Sequence, residues 1–200
     1  MLILGLDQSV RRSGWALYES PGDERKIRTG SFGAPATMHD SEELCDFFGL
    51  ALWRLVGRVR PGFICWERAS RRITNYAKKS ASSLYHEHEN PHGGWTVNAD
   101  QLLLPEIQGQ IRQIAIDYGI PYESVPTGTW RADLFGTGGG SLSRKEAKAK
   151  AKQYCRWLGI PFDGEDEAEA ACIARWAATC SQKLKFKRWV KDVEQEAVRA

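Results

Sequence analysis

The chain has no run of about eighteen apolar residues, the length a membrane-spanning helix needs, so nothing in its 200 residues reads as a transmembrane span. Its opening, MLILGLD, carries no basic segment ahead of the apolar residues and passes at once into what reads as a strand, which argues against a cleaved secretory leader. Cysteine is sparse and odd in number: five (Cys45, Cys65, Cys155, Cys172, Cys180), in apolar surroundings and with no CxxC pair. That pattern excludes a disulfide framework and reads as buried thiols in a reducing compartment, the cytoplasm. His86, His88 and His92 share a polar, Gly-containing stretch, but no Cys or second pair stands at ligand spacing, which argues against zinc. The glycine-rich GTGGGS lacks the GK[ST] ending of a phosphate-binding P-loop, so a hinge or a loop against a nucleic-acid backbone suits it better.

What is present is 42% hydrophobic and 26% charged, enough for one globular domain over residues 1–200 with a core of ordinary size. Net charge is only +3, but the basic residues cluster, and clustering says more about polyanion binding than the total. The first seven residues are short, apolar and β-prone, and end in Asp7. Gly14–Ser20 alternates as a second strand, and Ile27–Phe32 supplies a third, so the chain is expected to open as an antiparallel meander. Asp40 with Glu43 three residues on resembles a helix start, and Leu44, Phe48, Ala51 and Leu55 then form one stripe. Pro61 and Gly62 close that unit before FICWE, a second apolar run that ends in a carboxylate, Glu67.

A helix between two strands favours a right-handed crossover that leaves them parallel. With neighbouring strands ~4.8 Å apart, Glu67 would then stand beside Asp7. From residue 68 to 79 the chain reads RASRRITNYAKK, with five basic residues and no acid. Arg68, Arg71, Arg72, Lys78 and Lys79 suggest a phosphate-gripping arm on which Tyr76 could stack a base, against the plainer reading of a solvated basic loop. A basic insertion over about 68–100 is therefore expected. Pro105 suits the first position of the next helix, whose stripe of Ile107, Ile111, Ile114 and Tyr118 stops at Gly119. Pro121–Pro126 reads as a further strand. Beyond the glycine-rich loop, Lys145, Lys148 and Lys152 recur at helical spacing and either solvate that helix or meet phosphates.

The last acidic signal is PFDGEDEAEAACIARWAATC. Asp166 and Glu169, three apart, project from one helix face. Ala168, Ala170, Ala171 and Ala174 are small enough to let that helix lie close to a sheet and carry the two acids toward Asp7 and Glu67. Four carboxylates in one water-poor crevice repel one another strongly unless cations intervene. Oxygen ligands alone suit Mg²⁺ or Mn²⁺, and two such ions about 4 Å apart activate a water and stabilise the departing oxygen of a phosphodiester. Basic clusters flanking an acidic metal centre point to a nuclease.

In this arrangement the chain resembles the RuvC-type Holliday junction resolvases of the RNase H-like superfamily. ILGLDQSVRRSGWAL is similar to their opening strand-turn-strand, CWE to their second acidic strand end and DEAEA to their terminal acidic helix, while WRADLFGTGGGSLSRKEAK resembles their stretch from a late strand to a Lys-bearing helix. The resemblance implies an α/β fold with a mixed five-stranded sheet, three antiparallel strands then two parallel, flanked by helices. It implies that Asp7, Glu67, Asp166 and Glu169 hold two Mg²⁺ or Mn²⁺ ions, and that Arg131 and Lys145 stand near the scissile phosphate, with Arg144 and Lys148 among the DNA contacts. By the same resemblance a homodimer would nick branched DNA symmetrically, with flaps or RNA-DNA hybrids, or a junction-binding protein without catalysis, as the alternatives. The likeness looks closer to phage-type members, which would place the protein in a host cytoplasm. Glu169 stands where bacterial enzymes commonly carry Asp or His, and Ser70 where many carry a wedging aromatic. An ATPase of the actin and sugar-kinase type also begins with a strand ending in Asp, but 200 residues are too few for its paired domains.

Overall fold

The computed structural model describes residues 1–69, 75–77, 95–97 and 99–199. Its centre is β1 (Leu2–Asp7), flanked by β2 (Arg12–Glu19), which is followed outward by β3 (Arg28–Gly33), both pairings antiparallel. Helix α1 (Ser41–Val59) starts where Asp40 accepts hydrogen bonds from the amides of Glu42 and Glu43, and leads into β4 (Phe63–Arg68), parallel to β1. The short strands β5 (Asn75–Ala77) and β6 (Trp95–Val97) pair antiparallel as a separate two-stranded sheet. Helix α2 (Ala99–Asp117) precedes β7 (Tyr122–Pro126), parallel to β4. Four helices complete the chain: α3 (Thr127–Phe135), α4 (Arg144–Leu158), α5 (Glu165–Thr179) and α6 (Gln182–Arg199). The five-stranded sheet runs β3-β2-β1-β4-β7, three antiparallel strands and then two parallel, as the sequence predicts.

Strand alternation decides which side chains reach which layer. Leu4, Leu6, Ile64 and Trp66 pack with Phe48, Leu52, Ile107 and Ile111 of α1 and α2 on one face. Ile3, Phe63 and Cys65 pack with the alanines of α5 on the other. Burial on both faces is why β1 reads as an unbroken apolar run. The same period of two puts Asp7 with Ile3 and Gly5, and Glu67 with Phe63 and Cys65, on the face that α5 covers.

Contact between α5 and the sheet is backbone on backbone. A Cβ on Gly5 would lie 2.5 Å from the Ala170 carbonyl oxygen and the Ala174 nitrogen, and one on Gly14 would lie 2.1 Å from the Asp166 carbonyl oxygen. Gly14 pairs with Asp7 across the ladder, so the first turn of α5 rests beside the carboxyl end of β1.

Pro105 corrects one expectation: it lies inside α2, which begins six residues earlier at Ala99. A proline ring forfeits one helical hydrogen bond. Here Leu103 is buried in the α1–α2 layer and anchors the turn ahead of it. Gly119, in the left-handed region at φ 62°, ends the helix as expected. No helix among the described residues is long and apolar enough to cross a membrane.

Candidate active site

Parallel pairing of Leu6 with Trp66 brings the ends of β1 and β4 side by side, and α5 closes over them. One carboxylate oxygen from each of Asp7, Asp166 and Glu169 falls within 4.8 Å of the others. These three acids and Glu67 line one open cleft of about 620 Å³. Helical geometry sorts the acids of α5. Glu165 points to Lys152 at 2.7 Å, Glu167 is buried against Arg12 at 3.7 Å, and Asp166 and Glu169 face the cleft.

Glu67 is held by the core. The indole N–H of Trp130, fully buried on α3, donates to its Oε2 at 2.9 Å. Its backbone carbonyl accepts from the side-chain amides of Gln8 and Gln108. The Gln8 amide nitrogen is committed to that carbonyl, which leaves its buried Oε1, at the cleft wall, without a hydrogen-bond partner among the described residues.

Charge in the cleft is unbalanced. Burial, followed by repulsion from Glu169, Glu67 and Asp166, holds the Asp7 carboxyl well above the usual carboxylate range, and Lys148 only partly offsets this. Burial also raises Glu169, against the pull of Arg131, whose guanidinium lies 3.0 Å away. Lys148 Nζ stands 3.1 Å from Asp166 Oδ1 and 3.4 Å from Glu165. Burial works to lower its pKa, but Asp166, Glu169 and Glu165 together raise it, so it stays charged. Four acids facing two nearby cations, with oxygen donors only and one orphaned amide oxygen, fit a hard divalent cation such as Mg²⁺ or Mn²⁺.

The structure places the basic residues expected at this site unevenly. Arg131, Arg144 and Lys148 line the cleft. Lys145 does not: it is exposed and borders a shallow neighbouring depression with Arg144, Lys148 and Glu165, so the lysine in contact with the acids is Lys148, three residues on. Arg68 is the last residue of β4 and bonds Ser124 on β7, away from the acids. Ser70, Arg71, Arg72, Lys78, Lys79, His86, His88 and His92 lie outside the described residues, as does the side chain of Tyr76. The glycine-rich loop packs against α3, where a Cβ on Gly139 would meet the Arg131 carbonyl oxygen at 2.4 Å and one on Gly140 the Gly128 oxygen at 2.8 Å. It braces the helix that carries Trp130 and Arg131.

Four contributors escape a reading of the sequence. Gln8 and Arg11 line the cleft from the turn after β1. Trp130 fixes Glu67, and Asp133 accepts the Trp176 indole N–H at 2.7 Å, tying α3 to α5. The one available signal is the WRAD run itself, polar residues interleaved with a tryptophan on a short helix.

No protein-family model matches the chain, and no curated protein matches it in sequence. Solved structures do match in shape. The Thermus thermophilus RuvC structure aligns over 87% of this chain and 91% of its own, with a TM-score of 0.53 and 15% identity. T. thermophilus RuvC in complex with a Holliday junction substrate gives 0.56 over 87% of this chain and 90% of its own, at 13% identity. The yeast mitochondrial Holliday junction resolvase gives 0.51 over 93% of this chain and 81% of its own, at 16% identity. At such identities the likeness is one of fold: the mixed five-stranded sheet and its flanking helices are arranged similarly to those of the RuvC and yeast resolvase structures.

Proposed function

We propose that the protein is a divalent-metal-dependent endonuclease that nicks branched DNA, four-way junctions foremost. The observation that carries this reading is the meeting of Asp7, Asp166 and Glu169 within 4.8 Å in a cleft that Glu67 also lines. Those four side chains would hold Mg²⁺ or Mn²⁺, as two ions. Bound there, the ions would activate water and stabilise charge on the departing oxygen of a phosphodiester. The chain's own residues do the rest. Trp130 and the buried carbonyl of Glu67 keep that acid in one orientation before substrate arrives, so no reorganisation is needed at the moment of reaction. Arg131 and Lys148 each neutralise one acid of α5, and Arg11 and Arg144 at the cleft wall are placed to meet phosphates of an entering strand.

A homodimer suits the substrate, since a four-way junction presents equivalent strands about a two-fold axis and two copies would make a symmetric pair of nicks. The same fold in T. thermophilus RuvC has been captured with a Holliday junction, which supports junctions over other nucleic acids. The test is cleavage of a four-way junction, a flap and an RNA-DNA hybrid with Mg²⁺ or EDTA, by the wild-type chain and by Asp7→Asn. Junction cutting that needs Mg²⁺ and vanishes in the variant, with binding retained, is expected. Cleavage surviving in Asp7→Asn would overturn the site. Faster cutting of the hybrid or the flap would overturn the substrate and leave the chemistry standing.

A further inference from the structure

Helix α6 carries a surface that the acidic cleft does not use. It is anchored by Leu184, fully buried, by Ser181, which bonds Glu123 at the start of β7, and by Arg188, which donates to Ser20 just after β2 and to the Ala178 carbonyl. Of these, Ser20 lies beside Met1 at the end of the sheet opposite Asp7, and Glu123 stands level with Gly5 two strands away. The end of α5 at Thr179 is ten residues past Glu169 and thirteen past Asp166, about 15–20 Å at 1.5 Å per residue.

On its outward side Phe186 and Trp189 are 64% and 60% exposed, three apart on one helix face, with ring centroids 5.8 Å from each other. Residues 183–191, KLKFKRWVK, hold five basic side chains, of which Arg188 is an inward anchor, and Asp192 follows as the first acid. Lys183 is engaged with the Tyr122 carbonyl and ring. Lys187 and Lys191 are spaced four apart, a like-charge pair that works against helix stability. Burial and then the Lys191 charge push the Lys187 amine below its ordinary range.

Exposed aromatics beside cations that have no acidic partner among the described residues match a polyanion that also offers flat apolar faces, which is a strand with unpaired bases. A second copy fits poorly, because a two-fold contact would set this patch against its own like and bring its lysines against one another. An anionic membrane would meet an apolar face of only two rings, a small area for interfacial binding.

We propose that the outward face of α6 is a second nucleic-acid site that binds single-stranded DNA, stacking bases on Phe186 and Trp189 while Lys185 and Lys187 on its flanks meet phosphates. It rests on DNA being the substrate class proposed above, and is independent of the chemistry in the cleft. Its role would be to hold an unpaired segment of a branched substrate about 15–20 Å from the acids, roughly half a duplex turn.

The experiment uses the full chain in EDTA with labelled oligo-dT of about sixteen nucleotides, the upper end of single-strand site sizes. Phe186→Ala with Trp189→Ala should weaken binding about tenfold or more. Lys185→Ala with Lys187→Ala should flatten the slope of log K against log salt by about 1.4, at about 0.7 per phosphate contact. Trp189 fluorescence in the wild type should be quenched on binding. Single-turnover junction cleavage at saturating enzyme should keep its rate in both variants, so loss of cleavage reports on the cleft and loss of oligo-dT binding on α6. Unchanged affinity and slope would overturn the proposal. So would variants that lose only binding to phosphatidylserine vesicles, or that change only the sedimentation of the protein.

Discussion

Trp130 donates its indole N–H to Glu67 Oε2 at 2.9 Å from a position with no solvent exposure, so core packing sets the direction of an acid in the cleft. Phe135 packs edge-on against the same ring, and the Arg131 guanidinium lies 5.2 Å from its centre. Trp130→Phe keeps an aromatic there and removes the donor. A hydrogen bond to a charged group contributes about 1.5–3 kcal/mol, so the melt should fall by about 2 kcal/mol. Cleavage rate should drop about tenfold while affinity for the junction stays put. Equal loss of stability in EDTA in Trp130→Phe and Glu67→Leu, with no further loss in the double variant, would place the stability effect on this bond.

Asp7 makes stability depend on pH with a definite sign. Its carboxyl is raised in the folded state, by burial first and then by Glu169, Glu67 and Asp166. Between its unfolded and folded pKa the native state holds a proton that the unfolded chain has released. Stability is therefore greatest below the unfolded value and declines as pH climbs through the folded one. Asp7→Asn removes the liability, so at pH 8 in EDTA this variant should melt several degrees above the wild type. Mg²⁺ should raise the wild-type melting temperature, more at pH 8 than at pH 5, and raise the variant's less. A variant that melts lower in EDTA would contradict the electrostatic picture of the cleft.

Two glycines with opposite surroundings test how α5 is held. Gly14→Ala would force a methyl to within 2.1 Å of the Asp166 carbonyl oxygen, and with backbone on both sides neither can yield cheaply. Lifting the first turn of α5 should cost about 2–4 kcal/mol, and it should abolish cleavage by separating Asp166 from Asp7. Gly109, in the middle of α2, has nothing within 4 Å of the added methyl. Gly109→Ala should stabilise the protein by about 0.5–1 kcal/mol, read from a urea melt.

The legible parts of this protein were those in which one-dimensional pattern and three-dimensional burial share a cause. An apolar run ending in a carboxylate is what a strand buried on both faces looks like when it opens on a crevice, so Asp7 and Glu67 could be placed. The alanine-rich face of α5 carried Asp166 and Glu169 with it. Less was visible where rotation about a helix or a loop path decides. Lys145 and Lys148 are three residues apart and chemically alike, and only the docking of α4 on α5 brings Lys148 to Asp166. The buried leucine ahead of Pro105 outweighs the lost hydrogen bond and starts α2 early. That the glycines at 5 and 14 admit a helix is not visible in the sequence, because that helix lies more than 150 residues away.

Arg131 and Glu169 make the most consequential ion pair, at 3.0 Å with only 11% and 5% of their side chains exposed. Removing one partner of a buried pair leaves the other charge uncompensated and costs about 3–5 kcal/mol, far more than the pair contributes as a whole. Arg131→Met should therefore destabilise the protein strongly in EDTA and drive the Glu169 carboxyl further up, since Arg131 is the chief influence now lowering it. Protons would then compete better for the acids, and the pH at which Mg²⁺ begins to stabilise the fold should move upward. Lys148→Met, at a more open pair with Asp166, should cost less, about 1 kcal/mol. Adding Glu169→Gln to Arg131→Met should recover much of the loss in EDTA, because no buried charge would be left over. If the double variant is no more stable than Arg131→Met alone, the guanidinium acts through packing on Trp130 and not through Glu169.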